Sequence, residues 1–204
     1  MTPPAPVDRV QILLVAGSSR AGSTNLAVLR TGAALAPRGV ATEIYERVGE
    51  LPLFNPDDDV EGAAVDPRVA EMRTAVHRAD ALLICTPEYA GALPAALKNL
   101  LEWTIGDAGT YQKPVAWINA SGPGAPSGAA DAHDSLRKVL GYAGAQIVEA
   151  ACARVPVTRQ QVGADGLVCD ERARHEIAAV VARLADHVCA DAPDTLAAPR
   201  RRPA

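Results

Sequence analysis

Apolar residues along the chain fall into short continuous runs separated by stretches with helical spacing. Five runs bounded by turn-forming residues predict strands, at residues 10–17, 40–46, 81–86, 114–120 and 146–150. Runs without polar alternation are typical of strands covered on both faces, as in parallel sheets. Spacings of three and four residues predict a helix after each strand. The last of these helices shows the clearest apolar stripe, formed by Ile177, Val180, Val181, Leu184 and Val188.

This strict alternation of strands and helices predicts an α/β fold, with a parallel sheet covered by helices on both faces. Five strands fit either a flavodoxin-like fold or a Rossmann variant, and both bind ligands beyond the carboxyl ends of the strands. We expect one domain over residues 10–190, a flexible N-terminus over residues 1–9 and a disordered tail over residues 191–204, which is rich in proline and arginine.

The amino-acid composition argues against several classes of function, including nucleic-acid binding and metal binding. The chain has 204 residues, 49% apolar residues and a formal charge of −4, so it offers no basic surface for nucleic acid. Its four cysteines form no CxxC pair, and its four histidines are scattered, mostly on predicted helix surfaces, so we expect no metal site. Residues 51–59 predict a solvated loop without regular structure. No signal-peptide pattern or membrane span is apparent, which predicts a cytoplasmic protein.

Three polar loops rich in glycine or proline follow the first, third and fourth predicted strands. Their sequences are GSSRAGSTN, TPEYAG and SGPGAPSG, which begin at residues 17, 86 and 121. The carboxyl ends of parallel strands in a doubly wound sheet share one edge, so the three loops are expected to converge there. This convergence indicates a binding site more strongly than any one loop does.

The first loop carries the features of a phosphate site. It connects a strand to the start of a helix, where backbone N–H groups lack partners and the helix dipole is positive. Its side chains add hydrogen-bond donors and one guanidinium, from Ser18, Arg20, Ser23, Thr24 and Asn25. The alternative interpretation is that these serines only cap the helix.

The same loop excludes several phosphate ligands. It almost matches a nucleoside-triphosphate P-loop, but Ser23 stands where the lysine should be. The dinucleotide motif GxGxxG is absent, and there is no cysteine for a phosphatase loop. A ligand that ends in a monophosphate remains, such as FMN.

The second loop is suited to a planar ligand. Pro87 ends the strand and Gly91 lets the backbone turn freely, so main-chain amides can face the edge of a ring. Glu88 is either a general acid or base or a structural carboxylate, and we favour the structural role. Tyr89 either packs on the ring or fills a hydrophobic contact.

Together these segments resemble the NADPH-dependent FMN reductase family. The resemblance covers residues 10–149 and rests on the motifs G-S-x-R-x-x-S-x-N and P-E-Y-x-x-x-x-P-x-x-L-K-N. Between them lies LPLFNPD, and a strand and SG precede LRKVL. The family includes azo-, quinone- and chromate-reducing flavoproteins with a flavodoxin-like fold, which implies strand order 2-1-3-4-5.

Carried over by position, the resemblance implies a complete FMN site. Ser18, Arg20, Ser23 and Asn25 would hold the FMN phosphate, joined by Thr24 at the helix start. The isoalloxazine would be lined, mostly through backbone, by Pro87, Glu88, Tyr89, Ala90 and Gly91, with a third wall from Ser121 and Gly122. Many members have asparagine where this chain has Ala90, so one side-chain hydrogen bond is lost.

The resemblance also implies the reaction. A nicotinamide, from NADPH or possibly NADH, would pass a hydride to flavin N5, and a small acceptor would then take the electrons at the same face, giving ping-pong kinetics. The acceptor would be a flavin, a quinone, an azo compound or chromate, and no side chain is needed as an acid or base. Two alternatives stay open: a flavodoxin-like electron carrier that needs a protein partner, and a flavin-free scaffold. The mild charge and few aromatic residues favour the enzyme.

Family members form homodimers or homotetramers, and the resemblance implies the same for this chain. We expect the contact in the loop at residues 51–59, through exposed Leu53 and Phe54.

Overall fold

The computed structural model describes residues 10–125 and 127–191, which form alternating strands and helices. The strands are β1 Val10–Ala16, β2 Val40–Tyr45, β3 Ala81–Cys85, β4 Pro114–Asn119, β5 Gln146–Ile147 and β6 Ala153–Arg154. The helices are α1 Thr24–Ala34, α2 Pro67–Arg78, α3 Ala95–Trp103, α4 Ala130–Tyr142 and α5 Glu171–Asp191.

The sheet is parallel throughout and has the order β2-β1-β3-β4-β5. This confirms the predicted flavodoxin-like fold and excludes the alternative order of a Rossmann variant. The first strand lies near the centre and pairs with β2 on one side and β3 on the other. The order of connection therefore reverses around β1 and β3, next to the loops that follow them.

The predicted fifth strand is wrong in its extent. Only Gln146–Ile147 pairs with β4 before a 3₁₀ turn at Glu149–Ala151, and the chain then returns to β4 as β6. A strand at the edge of a sheet has a neighbour on one side only, so little opposes such a break. The position beside β4 is thus filled by two short strands rather than one.

Each strand of the sheet centre contributes to two cores, one on each face. In β1, Ile12 and Leu14 pack with α1 and α5, whereas Leu13 and Val15 pack with α2, α3 and α4. This is the period of two expected for a strand, with both faces apolar because both are covered by helices. Deep burial on both faces keeps the strand ends, and therefore the loops that follow them, in one place.

The loop at residues 51–59 is more ordered than predicted. It includes a 3₁₀ turn at Pro56–Asp58, and it ends at Asp59, whose carboxylate accepts a 2.7 Å hydrogen bond from Arg73. The same guanidinium donates to the Trp103 carbonyl and lies 3.4 Å from Asp107. Arg73 therefore ties this loop and the end of α3 to α2.

The expectation that Phe54 is exposed is also wrong. Its ring packs edge-on against Trp103 with 5.0 Å between the ring centroids, and its N–H donates to Asn99 Oδ1 at 2.7 Å. The neighbouring Leu53 is 84% exposed, as expected. The two residues alternate in an extended segment, so only one of them can face solvent.

The expected flexible N-terminus at residues 1–9 lies outside the described residues, as does the predicted tail from residue 192 onward. Asp191, which the sequence placed in that tail, is the last residue of α5.

Candidate functional site

The first loop leaves the hydroxyl of Ser23 without a partner among the described residues. Ser23 occupies the N-cap position of α1 in an extended conformation, and its carbonyl accepts the Ala27 N–H at 3.1 Å. Its side chain makes no capping hydrogen bond, although the residue is only 8% exposed. The interpretation that Ser23 merely caps the helix therefore has no support in the geometry, and the hydroxyl can donate to a ligand.

The start of α1 presents further donors. The first N–H groups of a helix have no intrahelical acceptors, and they carry the positive end of the helix dipole. Buried Asn25 accepts the thiol hydrogen of Cys85 at 3.3 Å through Oδ1, which leaves its Nδ2 group to donate. Burial raises the pKa of the Cys85 thiol, so this thiol keeps its hydrogen and acts as the donor.

Two more residues of the first loop lie around the same helix start. Ser18 is buried, and its Oγ accepts the Arg20 N–H at 3.3 Å, which closes a tight turn. The Arg20 side chain is exposed and forms no ion pair with any residue in the described ranges. The five predicted phosphate ligands, Ser18, Arg20, Ser23, Thr24 and Asn25, all lie in the segment that runs from the end of β1 into the first turn of α1.

The first and second loops meet at Gly17. Its N–H donates to the Cys85 carbonyl at 2.9 Å, which continues the pairing of β1 with β3. A Cβ atom on Gly17 would collide with Oγ1 of fully buried Thr86. Only glycine permits this approach, so Gly17 sets the spacing between the two loops.

The second loop is a tight two-residue hairpin. Tyr89 and Ala92 exchange two backbone hydrogen bonds of 3.0 and 3.1 Å across Ala90 and Gly91, whose φ angles are +51° and +71°. Positive φ at both central residues defines a type I′ turn, for which Asn-Gly is the preferred sequence. The departure at Ala90 therefore has a backbone consequence that the sequence did not show: an alanine is held in a left-handed conformation.

Glu88 faces the third loop. Both of its carboxylate oxygens lie 2.7 Å from the Ser127 hydroxyl, and one also accepts the Ala132 N–H at 3.2 Å. These contacts agree with a structural role for this carboxylate. Its neighbours Pro87 and Tyr89 lie at the rim, with Tyr89 46% exposed.

Sequence reasoning missed Asn119, which shapes the third loop. This buried residue ends β4; its Oδ1 accepts the Ser121 N–H at 3.0 Å and its Nδ2 donates to the Gly128 carbonyl at 2.8 Å. Both ends of the loop are thereby held to one side chain, with Ser121 and Gly122 half-buried between them. The available signal was a single polar residue at the end of an otherwise apolar strand.

His133 is buried, whereas most of the histidines were expected on helix surfaces. Its Nδ1 donates to the Ala129 carbonyl at 2.7 Å, and its ring lies 6.0 Å from that of Trp117. Burial lowers the pKa of His133, although the Ala129 hydrogen bond and the charge of Glu88 oppose the shift. The imidazole is therefore a neutral part of the support beneath the third loop.

The described residues contain no group of three or more His, Cys, Asp or Glu side chains placed to hold a metal ion. None of the helices in residues 10–125 and 127–191 is both long and apolar enough to cross a membrane.

The three loops thus converge at the carboxyl edge of the sheet, as expected for loops that follow neighbouring parallel strands. The family model for NADPH-dependent FMN reductases matches residues 10–158. The chain belongs to this family. The predicted resemblance is confirmed, as is the prediction of an oxidoreductase.

Individual relatives agree with this family assignment. The chain is 31% identical over 172 residues to an NAD(P)H-dependent FMN reductase of Pseudomonas aeruginosa, covering 83% of this chain and 90% of the relative. It is 31% identical over 144 residues to a quinone reductase of Escherichia coli, covering 69% and 74% of the two chains. Among solved structures, FerB, a flavoenzyme NAD(P)H:(acceptor) oxidoreductase of Paracoccus denitrificans, superposes with a TM-score of 0.72 at 25% identity, covering 87% of this chain and 98% of FerB.

Membership in the NADPH-dependent FMN reductase family makes FMN and a nicotinamide nucleotide the cofactors of this protein. The residues present fit the flavin. The unpartnered Ser23 hydroxyl, the Asn25 amide and the free N–H groups at the start of α1 form a donor set for a phosphate. The hairpin of the second loop and the half-buried start of the third lie on neighbouring strands, where they can flank a planar ring.

Proposed function

We propose that this enzyme passes electrons from NADPH through bound FMN to small acceptors, quinones among them, by a ping-pong mechanism. The observation that carries the proposal is the convergence of a phosphate-type loop with two loops rich in main-chain amides, in a chain of the FMN reductase family. We propose that the phosphate lies at the start of α1, on Ser18, Arg20, Ser23, Thr24 and Asn25. The second and third loops would then hold the isoalloxazine between them.

FMN, when bound, supplies both hydride acceptance and electron donation. The protein binds and orients the ring through the backbone of residues 87–91 and through Ser121 and Gly122. The N–H groups of Tyr89 and Ser121 are engaged within the chain, so other main-chain N–H groups of these two loops would stabilise negative charge on a reduced flavin. Glu88 is engaged with Ser127 and Ala132, so we assign no general acid or base to the reaction.

In this proposal, the nicotinamide and the electron acceptor reach the same open face of the flavin ring. Tyr89 stands exposed at the rim of the second loop, where a nicotinamide or a quinone approaching the ring would pass it. One face serves two reactants in turn, so the oxidised nicotinamide leaves before the acceptor enters. The rate law then shows parallel lines when the acceptor is varied at several NADPH concentrations.

The test begins with one optical experiment. Protein is incubated with FMN, free flavin is removed, and the visible spectrum is recorded before and after anaerobic NADPH. We expect a retained flavin band that bleaches within the mixing time, followed by recovery on addition of a quinone. Intersecting initial-rate lines would refute the ping-pong mechanism, and no retained flavin would refute the assigned site.

The electron-carrier alternative has a separate outcome in the same experiment. A carrier would retain FMN but would be reduced by NADPH only when a partner reductase is added. The net charge of −4 and the few aromatic residues disfavour a carrier, because flavodoxin-like carriers resembling this fold are strongly acidic with aromatic residues at the flavin. Comparing NADPH with NADH in the same cuvette determines the preferred donor.

We also propose that the enzyme works in the cytoplasm as a homodimer or homotetramer. All four cysteines are free thiols, which suits a reducing compartment. Exposed Leu53 supports the predicted contact in the loop at residues 51–59, whereas Phe54 is engaged within the chain. Leu53→Asp should therefore increase the elution volume in size-exclusion chromatography; an unchanged volume would exclude this loop as the contact.

A further inference from the structure

The hydrogen bonds of Glu88 connect two loops that no backbone bond joins in the described residues. Its carboxylate lies on the second loop, yet its partners are the Ser127 hydroxyl at 2.7 Å and the Ala132 N–H at 3.2 Å, in the third loop and the first turn of α4. Hydrogen bonds to an ionised acceptor are shorter and roughly twice as strong as neutral ones. A carboxylate at the first turn of a helix is favoured further by the helix dipole.

Ser127 passes this connection into the third loop. The same Oγ that donates to Glu88 accepts the Ala129 N–H at 3.1 Å, just before α4 begins. Ala129 adopts a φ of +61°, a left-handed conformation that an alanine takes at a cost. The contacts of Glu88 and Ser127 on either side of this residue oppose its relaxation, so they hold the end of the loop in a strained shape.

Asn119 holds the third loop to its own strand but does not reach the second loop. Beyond the pairing of β3 with β4, the hydrogen bonds of the Glu88 side chain therefore fix the separation between the hairpin at Tyr89–Ala92 and the third loop, among the described residues. In the proposed function, which this inference rests on, that separation is the width of the slot for the isoalloxazine.

We propose that Glu88 is a positioning residue: its carboxylate locks the second and third loops at the spacing that accepts the flavin ring. It acts on the ring through Ser127 and Ala132 and exchanges no proton with a substrate. Without the Glu88 carboxylate, the second and third loops become ordered only when the flavin binds. FMN affinity is then lower, because ordering a loop costs conformational entropy.

The test uses four variants of the full-length protein and FMN as the probe. We expect Glu88→Ala to weaken FMN binding by about 10- to 100-fold, the range for loss of hydrogen bonds to a charged group. Glu88→Gln should lie between wild type and Glu88→Ala, since its one amide oxygen can still accept from the Ser127 hydroxyl and the Ala132 N–H, but the negative charge is lost. Glu102→Gln, which removes a carboxylate paired with Lys98 on the surface of α3, is the matched control and should bind FMN as wild type does.

The double variant Glu88→Ala/Ser127→Ala tests whether the two residues affect FMN affinity through their shared hydrogen bond or independently of each other. Residues that act through one hydrogen bond are non-additive, so the double variant should bind FMN no more weakly than Glu88→Ala alone. The visible spectrum of the bound flavin should broaden in Glu88→Ala and be partly restored in Glu88→Gln, because it reports how the ring is held.

Two results would overturn the inference. One is a Glu88→Ala protein that unfolds more easily in urea yet binds FMN with wild-type affinity and spectrum, which would make the carboxylate structural only. The other is a double variant that binds FMN more weakly than Glu88→Ala alone. A wild-type protein that retains no FMN would instead refute the proposed function, and this inference with it.

Discussion

Ala90 offers the sharpest test of the backbone geometry at the site. It occupies the first central position of the two-residue hairpin at a φ of +51°, followed by Gly91 at +71°. A left-handed conformation costs an L-residue such as alanine about 1–2 kcal/mol, whereas asparagine tolerates it and precedes glycine in the preferred type I′ turn. Ala90→Asn should therefore raise the free energy of unfolding.

The magnitude follows from how much of this strain asparagine removes. Since asparagine is tolerated rather than free of strain, we expect a gain of about 1 kcal/mol, or a rise in Tm of about 2–4 °C for a domain of this size. Ala90 is exposed, so the larger side chain meets no steric barrier. Urea unfolding of the flavin-free protein, followed by circular dichroism, measures the gain directly.

A matched control separates backbone strain from flavin binding. Ala108 is also an exposed alanine with positive φ, at +54°, but it lies after α3 and outside the three loops. Ala108→Asn should stabilise the protein by a similar amount and leave the affinity for FMN unchanged. Ala90→Asn should bind FMN at least as tightly as wild type, because its loop is better ordered before the ligand arrives.

A substitution that increases the backbone strain at Ala90 should lower the free energy of unfolding. Ala90→Val places a β-branched residue at positive φ and should destabilise the protein. The reasoning would be refuted if Ala90→Asn were no more stable than wild type while Ala108→Asn gained stability, since the hairpin would then carry no strain.

Three further predictions concern the support of the site. Gly17→Ala should destabilise the protein by about 3 kcal/mol and abolish FMN retention, because its Cβ would lie 2.6 Å from the Cβ of buried Thr86. Arg73→Met should cost about 3 kcal/mol in urea unfolding, because it leaves Asp59 buried without its ion-pair partner. The lowered pKa of His133 means that the unfolded state binds a proton below pH about 6.5 that the folded state resists, so stability falls as the pH falls. His133→Gln should therefore lose less unfolding free energy than wild type between pH 7.5 and 5.5.

Each of these variants has a control in the same chain. Gly141→Ala lies in α4 with no atom within 4 Å of the added Cβ, so it should stabilise the protein by about 0.5–1 kcal/mol. Arg172→Met removes an ion pair of an arginine that is 89% exposed, and should change stability by less than about 1 kcal/mol. His175→Gln, which changes an exposed imidazole on α5, is the control for His133→Gln. Equal effects in a variant and its control would contradict the corresponding argument.

Much of the fold was predictable because it depends on local patterns. Continuous apolar runs identified the buried parallel strands, and the alternation of strands and helices predicted a parallel sheet. The strand order that the structure confirms was implied by the family resemblance. The edge strand was predicted poorly, since its break after Ile147 depends on having a partner on one side only. The packing of partly buried Phe54 against Trp103 joins residues that are distant in the chain, and no spacing rule anticipates such a contact.

Features of the candidate site can also be separated into those that local sequence predicts and those that depend on the tertiary structure. The sequence by itself determined the fold class, the family and the identity of the three loops, because these follow from residue types at short spacings. Only the tertiary structure decided that Asn119 holds both ends of the third loop, that Ala90 lies in a left-handed conformation and that Glu88 meets Ser127. Such features depend on where separate strands end in space, and that is set by the packing of the whole sheet rather than by any segment of the chain.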